Sequence, residues 1–115
     1  MIPILEAIFG NRMAANTLLF IENYGSGYAR RIAGTYDPPV SVVQDQLRKL
    51  ESAGVLISNT VGRTRVFEFN PWNPTVSNLR RFLEDELKTI PDSLVKQYFR
   101  ERQRPRRSGK PIQRA

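Results

Sequence analysis

The pattern that most constrains the fold is a helix, a glycine and a hairpin in the middle of the chain. Apolar residues recur at i, i+4 and i+7 along residues 40–52, which predicts a helix with one buried face. Gly54 follows as a natural helix stop. The runs 55–60 and 64–69 are separated by a short turn that contains Gly62, which predicts a β-hairpin. An amphipathic helix that leads directly into a hairpin with a basic turn is therefore the central unit.

The flanking segments predict further helices around this unit. Asn11 can cap one helix, and Gly25 can end it in a left-handed conformation. A short strand near residues 25–27 is expected to join the hairpin. Paired prolines at positions 38 and 39 separate two of the helices, because proline is excluded from a helix interior. The predicted helices outside the central unit are 3–9, 12–23, 28–35 and 75–90, followed by a short one after Pro91.

The composition excludes several kinds of chemistry. The 115 residues include no Cys and no His, so disulfides, thiolate nucleophiles, histidine bases and the usual zinc sites are excluded. No constellation of a nucleophile with an acid or base is visible, so neither an enzyme nor a cofactor nor a metal site is predicted. No apolar run reaches the length of a membrane span. The N-terminus carries an early Glu6 and no basic leader, so a cytoplasmic or nucleoid location is expected.

The positive charge lies mostly at the C-terminal end. Residues 1–91 hold 10 Lys and Arg against 9 Asp and Glu, a difference of +1. Residues 92–115 hold 8 against 2, a difference of +6, which together give the net charge of +7. The predicted folded body is thus close to neutral. Any basic binding face on it must come from the local arrangement of charges rather than from the overall composition.

Four blocks of sequence resemble the winged helix domains of ArsR-type and MarR-type transcription regulators. They are L-E-A-I-F-G-N at 5–11, Y-A-R-R-I-A at 28–33, L-R-K-L-E-S-A-G-V at 47–55 and G-R-T-R-V-F-E-F-N-P at 62–71. The pattern is most similar to winged helix domains that occur alone or beside nucleotidyltransferase domains, and no nucleotidyltransferase pattern is visible here. Metal-sensing relatives use Cys and His, which this chain lacks.

The resemblance implies a mainly α fold with a small β-hairpin wing, an α+β winged helix-turn-helix with a three-helix core and C-terminal helices. It divides the chain into a winged helix-turn-helix domain at 1–74, C-terminal helices at 75–101 and a basic tail at 102–115, which we expect to be disordered. The implied function is sequence-specific binding of double-stranded DNA by a dimeric transcription regulator. Helix 40–52 would enter the major groove, and the wing at 61–65 would contact the flank.

The exposed face of helix 40–52 supplies the candidate base and phosphate contacts. Gln44 can pair with adenine, Arg48 with guanine or phosphate, and Val42 with a thymine methyl group. Arg63 at the hairpin tip suits a narrow minor groove or a phosphate. The alternative for each is an ordinary solvated surface. The full set of predicted DNA contacts is Arg30, Arg31, Ser41, Val42, Gln44, Asp45, Arg48, Arg63 and Arg65.

Two further surfaces are predicted from apolar and basic patterns. The apolar stripe of helix 75–90 can pack on its own domain or on a second copy, and the predicted homodimer contacts are Leu79, Phe82, Leu83 and Leu87. The tail can add phosphate contacts that do not depend on DNA sequence, through Arg104, Arg106, Arg107 and Lys110.

Other functions remain open alternatives. The near-neutral body and the apolar terminal helices would suit a winged helix that binds another protein, with only non-specific nucleic-acid contact through the tail. Aromatic residues could stack on RNA bases. Core packing is the preferred interpretation of those aromatics, which are Tyr28, Phe67, Phe69 and Trp72.

Overall fold

The computed structural model describes residues 3–36 and 38–91. In these residues the elements are α1 (Pro3–Phe9), α2 (Arg12–Tyr24), α3 (Ala29–Tyr36), α4 (Val40–Ser52), β1 (Leu56–Val61), β2 (Thr64–Phe69) and α5 (Pro74–Thr89). The prediction of a mainly α fold with a small β-hairpin is confirmed. The observed ends of the elements lie within about a residue of the predicted ones, which is the usual uncertainty of such boundaries.

Helix α2 forms the centre of the molecule. At its start the Asn11 side chain accepts a hydrogen bond from the Ala14 N–H at 2.7 Å. At its end Gly25 has a φ of 86°, and its N–H donates to the Ile21 carbonyl at 2.7 Å. Every residue from Ala14 to Asn23 is buried, because α1, α3, α4 and α5 all pack against this helix. Both predicted ends of α2 are confirmed.

The described residues contain no single helix that is long and apolar enough to cross a membrane. Helices α1 and α2 meet the requirement of length and composition only as a pair, and they are bent by 103° where they meet. The apolar content of α2 is accounted for by its burial in the core.

The hairpin is antiparallel, and an isolated bridge joins it to the segment between α2 and α3. Leu56 lies opposite Phe69, and Val61 lies opposite Thr64 next to the turn. The strand that was predicted near residues 25–27 is reduced to a single bridge. Its Gly27 N–H donates to the Phe67 carbonyl at 2.9 Å, and the Phe67 N–H donates back at 2.8 Å.

Helix α5 belongs to the same core as the other helices. Leu83 is fully buried, and Leu87 keeps only 8% of its surface exposed. The prediction that these two leucines form a dimer interface is therefore wrong, since they pack against the chain's own core. Of the remaining predicted interface residues, Leu79 is half-buried against the core and Phe82 is 37% exposed. The sequence was compatible with packing of the α5 apolar stripe either on its own domain or on a second copy. In the structure it packs on α2 of the same chain.

The aromatic residues divide between core and surface. Phe67 and Phe69 are buried, as predicted. Trp72 is 77% exposed, so the prediction that it packs in the core is wrong. It lies in the turn between β2 and α5, where its backbone N–H donates to Oδ1 of Asn70 at 3.0 Å. Tyr28 is half-buried at the start of α3. The short helix predicted after Pro91 and the tail residues Arg104, Arg106, Arg107 and Lys110 lie outside the described residues.

Replacing Gly27 with alanine should destabilise the fold by about 1–3 kcal/mol, the usual cost of overpacking a core. A Cβ atom at Gly27 would lie 3.0 Å from Phe20 and 3.1 Å from Ile32. Urea unfolding followed by circular dichroism measures the change. The matched control is Gly34→Ala in α3, where a Cβ atom meets nothing within 4 Å and helix propensity favours alanine. Equal stability of the two variants would show that Gly27 is not closely packed.

Candidate nucleic-acid interface

Helix α4 presents a mostly polar face to solvent because two of its apolar residues fix the opposite face in the core. Val43 and Leu47 are fully buried. The residues predicted to lie on the opposite side are all exposed. This confirms the predicted orientation of the helix, which displays Ser41, Val42, Gln44, Asp45 and Arg48 on its outer side.

A groove of about 270 Å³ lies between the start of α3, the exposed side of α4 and the hairpin. It brings together predicted contact residues from three separate parts of the sequence. We name it the hairpin groove. Its lining residues are Tyr28, Ala29, Arg30, Val40, Gln44, Leu47, Arg48, Arg63, Thr64, Arg65 and Phe67.

The hairpin groove carries concentrated positive charge. Its lining includes four guanidinium groups and no carboxylate. Among the described residues, no acidic side chain lies within ion-pair distance of Arg30 or Arg63. Arg48 has a loose contact with Asp45 at 3.8 Å, and both side chains are largely exposed. Although the body is near-neutral overall, the hairpin groove is therefore a local surface of positive potential.

The start of helix α3 adds to this potential. Tyr28, Ala29 and Arg30 all line the groove. The first N–H groups of a helix have no partner within the helix, and the helix dipole places partial positive charge there. The start of α3 therefore adds partial positive charge beside the groove arginines. Phosphate has the charge and the acceptor oxygens that such a site recognises.

Arg65 is the most constrained of the groove arginines. Its Nη2 atom lies 2.9 Å from Oε1 of Glu51, and its Nε donates to the Ser58 hydroxyl at 2.9 Å. The Ser58 hydroxyl in turn donates to Oε2 of Glu51 at 2.6 Å. The guanidinium also lies 5.6 Å from the centre of the Phe67 ring. The charge of Arg65 is thus balanced by a carboxylate within the protein.

This network lowers the pKa of the Glu51 carboxyl below the usual glutamate value of 4.5. The Ser58 hydrogen bond is the main cause; burial opposes it as the second-largest effect, and the hydrogen bond and charge of Arg65 add to the lowering. Because the pKa is lowered on folding, the ionised carboxylate stabilises the fold at and above the usual value. That contribution is lost as the pH falls through the lowered pKa.

Arg31 is held outside the hairpin groove. Its guanidinium lies 4.3 Å from the centre of the Tyr24 ring and 5.3 Å from that of Phe20. Both rings belong to α2, so this arginine stacks on the helical core rather than beside Arg30. The remaining predicted contacts, Ser41, Val42 and Asp45, lie on the exposed side of α4 outside the groove lining.

Sequence reasoning missed two polar residues of the groove. Tyr28 was assigned to the core and Thr64 received no role, yet both line the groove. Tyr28 is two residues from Arg30, and Thr64 lies between Arg63 and Arg65. This closeness to predicted DNA contacts was the signal in the sequence that could have identified them. The described residues hold no group of three or more His, Cys, Asp or Glu that could bind a metal ion.

Comparisons of the chain with protein-family models, with curated proteins and with solved structures find no match. The geometry of the hairpin groove is therefore the basis for a functional proposal.

Proposed function

We propose that this chain is a winged helix-turn-helix protein that binds double-stranded DNA. In this role α3 and α4 form the helix-turn-helix, α4 is the recognition helix, and the β1–β2 hairpin is the wing. The observation that carries the proposal is the hairpin groove, where Arg30, Arg48 and Arg63 converge without a carboxylate in the lining. A surface of this kind complements a phosphodiester backbone.

The exposed side of α4 supports reading of base edges. The major groove of B-DNA is about 12 Å wide and admits one α-helix. Gln44 can form a bidentate pair with adenine and Arg48 with guanine, while Val42, which is 43% exposed, can contact a thymine methyl group. Ser41 and Asp45 extend this face, where a carboxylate can accept from a cytosine amino group.

The other groove elements support contact with the DNA backbone. Arg30 and the first N–H groups of α3 can hold a phosphate beside the recognition helix. Arg63 lies in the turn of the wing, from which it can reach a flanking phosphate or a narrow minor groove. The tail residues Arg104, Arg106, Arg107 and Lys110 would add contacts that do not depend on the DNA sequence.

A homodimer is the form in which we propose that the protein regulates transcription. Ile4 and Ile8 on α1 are 66% and 57% exposed, and the Phe9 ring packs edge-on against Phe82 of α5 at 6.4 Å. A two-fold dimer that binds half-sites one DNA turn apart must hold its two recognition helices about 34 Å apart. The role needs no cofactor and no catalytic group, and it would place the protein with DNA in the cytoplasm.

Gln44→Ala should reduce discrimination among duplex DNA fragments. Loss of a bidentate base contact removes about 1–3 kcal/mol of discrimination. Fluorescence anisotropy of the full chain on a set of genomic duplex fragments measures it, as the ratio of the strongest to the weakest dissociation constant. Gln46→Ala is the matched control, because Gln46 is on the same helix but does not line the groove.

Replacing Arg104, Arg106, Arg107 and Lys110 together with glutamine separates the contribution of the tail to binding from that of the folded body. We expect weaker binding to every fragment, a smaller dependence on salt and an unchanged ratio between fragments. If this variant and Gln44→Ala both leave duplex binding as it was, the assigned roles are wrong.

Binding to another protein is the second candidate function. It is favoured by the exposure of Trp72, since large exposed aromatic residues are enriched at protein interfaces. Two results together would support protein binding over DNA binding. The full chain would fail to bind duplex DNA at low salt, and it would form a stable complex with a defined protein partner that Trp72→Ala weakens.

A further inference from the structure

We propose that Glu51 and Ser58 are positioning residues that act through Arg65 to hold the β-hairpin in one orientation against α4. Together these three residues form what we name the hairpin lock. In this proposal Arg65 binds Glu51 and Ser58 within the protein and does not contact DNA. The part that concerns DNA rests on the proposed function, whereas the orientation of the hairpin does not.

The hairpin lock joins three elements in a closed ring of hydrogen bonds. Glu51 stands in the last turn of α4, Ser58 on β1 and Arg65 on β2. The distances around the ring are 2.6, 2.9 and 2.9 Å. Both carboxylate oxygens are used, and the serine hydroxyl donates to Glu51 while accepting from Arg65. Such a ring has a single arrangement, so it fixes an angle as well as a contact.

The hairpin needs this restraint because little else holds its outer half. A two-stranded hairpin alone is only marginally stable in water. The buried part of the hairpin is at its base, with Leu56 and Phe69, while its outer residues from Asn59 to Arg65 are all exposed. The lock reaches this outer half at Arg65. Arg63, whose guanidinium has no acidic partner among the described residues, stands just beyond it in the turn. The lock therefore determines where Arg63 lies relative to α4.

The first test uses the free full-length protein, with amide hydrogen exchange followed by NMR. Glu51→Gln and Ser58→Ala should each speed exchange in residues 59–66 by about tenfold, the equivalent of one hydrogen bond to a charged group. Ser58→Thr keeps the hydroxyl, so its exchange in these residues should remain as slow as in the wild type. Glu68→Gln is the control, because it removes the same charge from an exposed residue of β2 outside the lock. Unchanged exchange in both Glu51→Gln and Ser58→Ala would overturn the lock.

The second test uses the sign of a change in DNA affinity. Removing a carboxylate from a DNA-binding protein should strengthen binding if charge alone matters. If Glu51 positions the hairpin, Glu51→Gln instead weakens binding by roughly fivefold to tenfold, comparable to losing one charged contact, while Glu68→Gln does not weaken it. Arg65→Lys should match Glu51→Gln, since lysine keeps the charge but loses the bidentate geometry.

Tighter DNA binding by Glu51→Gln would overturn the positioning role given to Glu51 and Arg65, because the loss of a negative charge would then matter more than the orientation of the hairpin. If the wild-type protein binds no duplex, the proposed function fails, and the exchange rates alone then decide the hairpin lock.

Discussion

Replacing Arg30, Arg48 and Arg63 together with alanine should weaken binding to duplex DNA by about 1,000-fold, since each contact to a charged group is worth about 1.5 kcal/mol. The three side chains approach one groove from α3, α4 and the hairpin turn, and the lining holds no carboxylate that they would leave unpaired. Fluorescence anisotropy across a salt series provides a second measure. The slope of log K against log salt should become shallower by about 0.9 for each phosphate contact that is lost.

A second triple variant separates the groove from overall charge. It removes an equal number of positive charges, three, from exposed positions that do not line the groove, by Arg12→Ala, Arg81→Ala and Lys88→Ala. We expect its affinity to stay within about threefold of the wild type, because charges beyond a Debye length of about 10 Å are largely screened. Equal losses in the two triple variants would mean that net charge drives binding and that the groove is not the site.

Replacing Arg80 with alanine should lower the free energy of unfolding by about 3 kcal/mol, at the low end of the range for breaking a buried ion pair. Glu22 lies on the buried face of α2, with 1% of its side chain exposed, and its Oε1 is 3.1 Å from Nε of Arg80 on α5. The Arg80 side chain is 46% exposed, and its guanidinium also lies 5.4 Å from the Phe69 ring centre. Without Arg80, the buried carboxylate of Glu22 loses this charged hydrogen bond.

Thermal unfolding followed by circular dichroism should show a melting temperature lower by roughly 15 °C in this variant. Adding Glu22→Gln should recover most of the loss, because the neutral amide no longer carries a buried charge. Arg81→Ala is the control at the neighbouring exposed position and should change stability by less than about 0.5 kcal/mol. A wild-type melting temperature in Arg80→Ala, or no recovery in the double variant, would contradict this account of the pair.

The ends of the elements were predictable because local interactions set them. Asn11 caps α2 through a hydrogen bond to a residue only three positions away, and Gly25 and Gly62 adopt positive φ values that other residues avoid. The buried face of α4 followed from the helical period alone. The hairpin followed from its two short apolar runs and the glycine between them.

The residues that line the hairpin groove could be predicted only in part. Sequence singled out Arg30, Gln44, Arg48 and Arg63, and the fold brings all four to one groove. Arg31 has the same residue type and the adjacent position, yet the rotation of α3 turns it onto the rings of α2. One step along a helix is a rotation of about 100°, so a choice between neighbours depends on how the helix packs.

Local sequence sets where this chain forms helices and a hairpin, since caps, glycine conformations and apolar periodicity act over a few residues. Packing between distant segments selects which apolar and charged residues find partners. It places Leu83 inside the core and Trp72 outside it. It pairs Arg80 with Glu22, which is 58 positions away in the sequence, and it pairs Arg65 with Glu51. Those outcomes depend on the directions from which separate helices and strands approach one another, and no local interaction sets these directions.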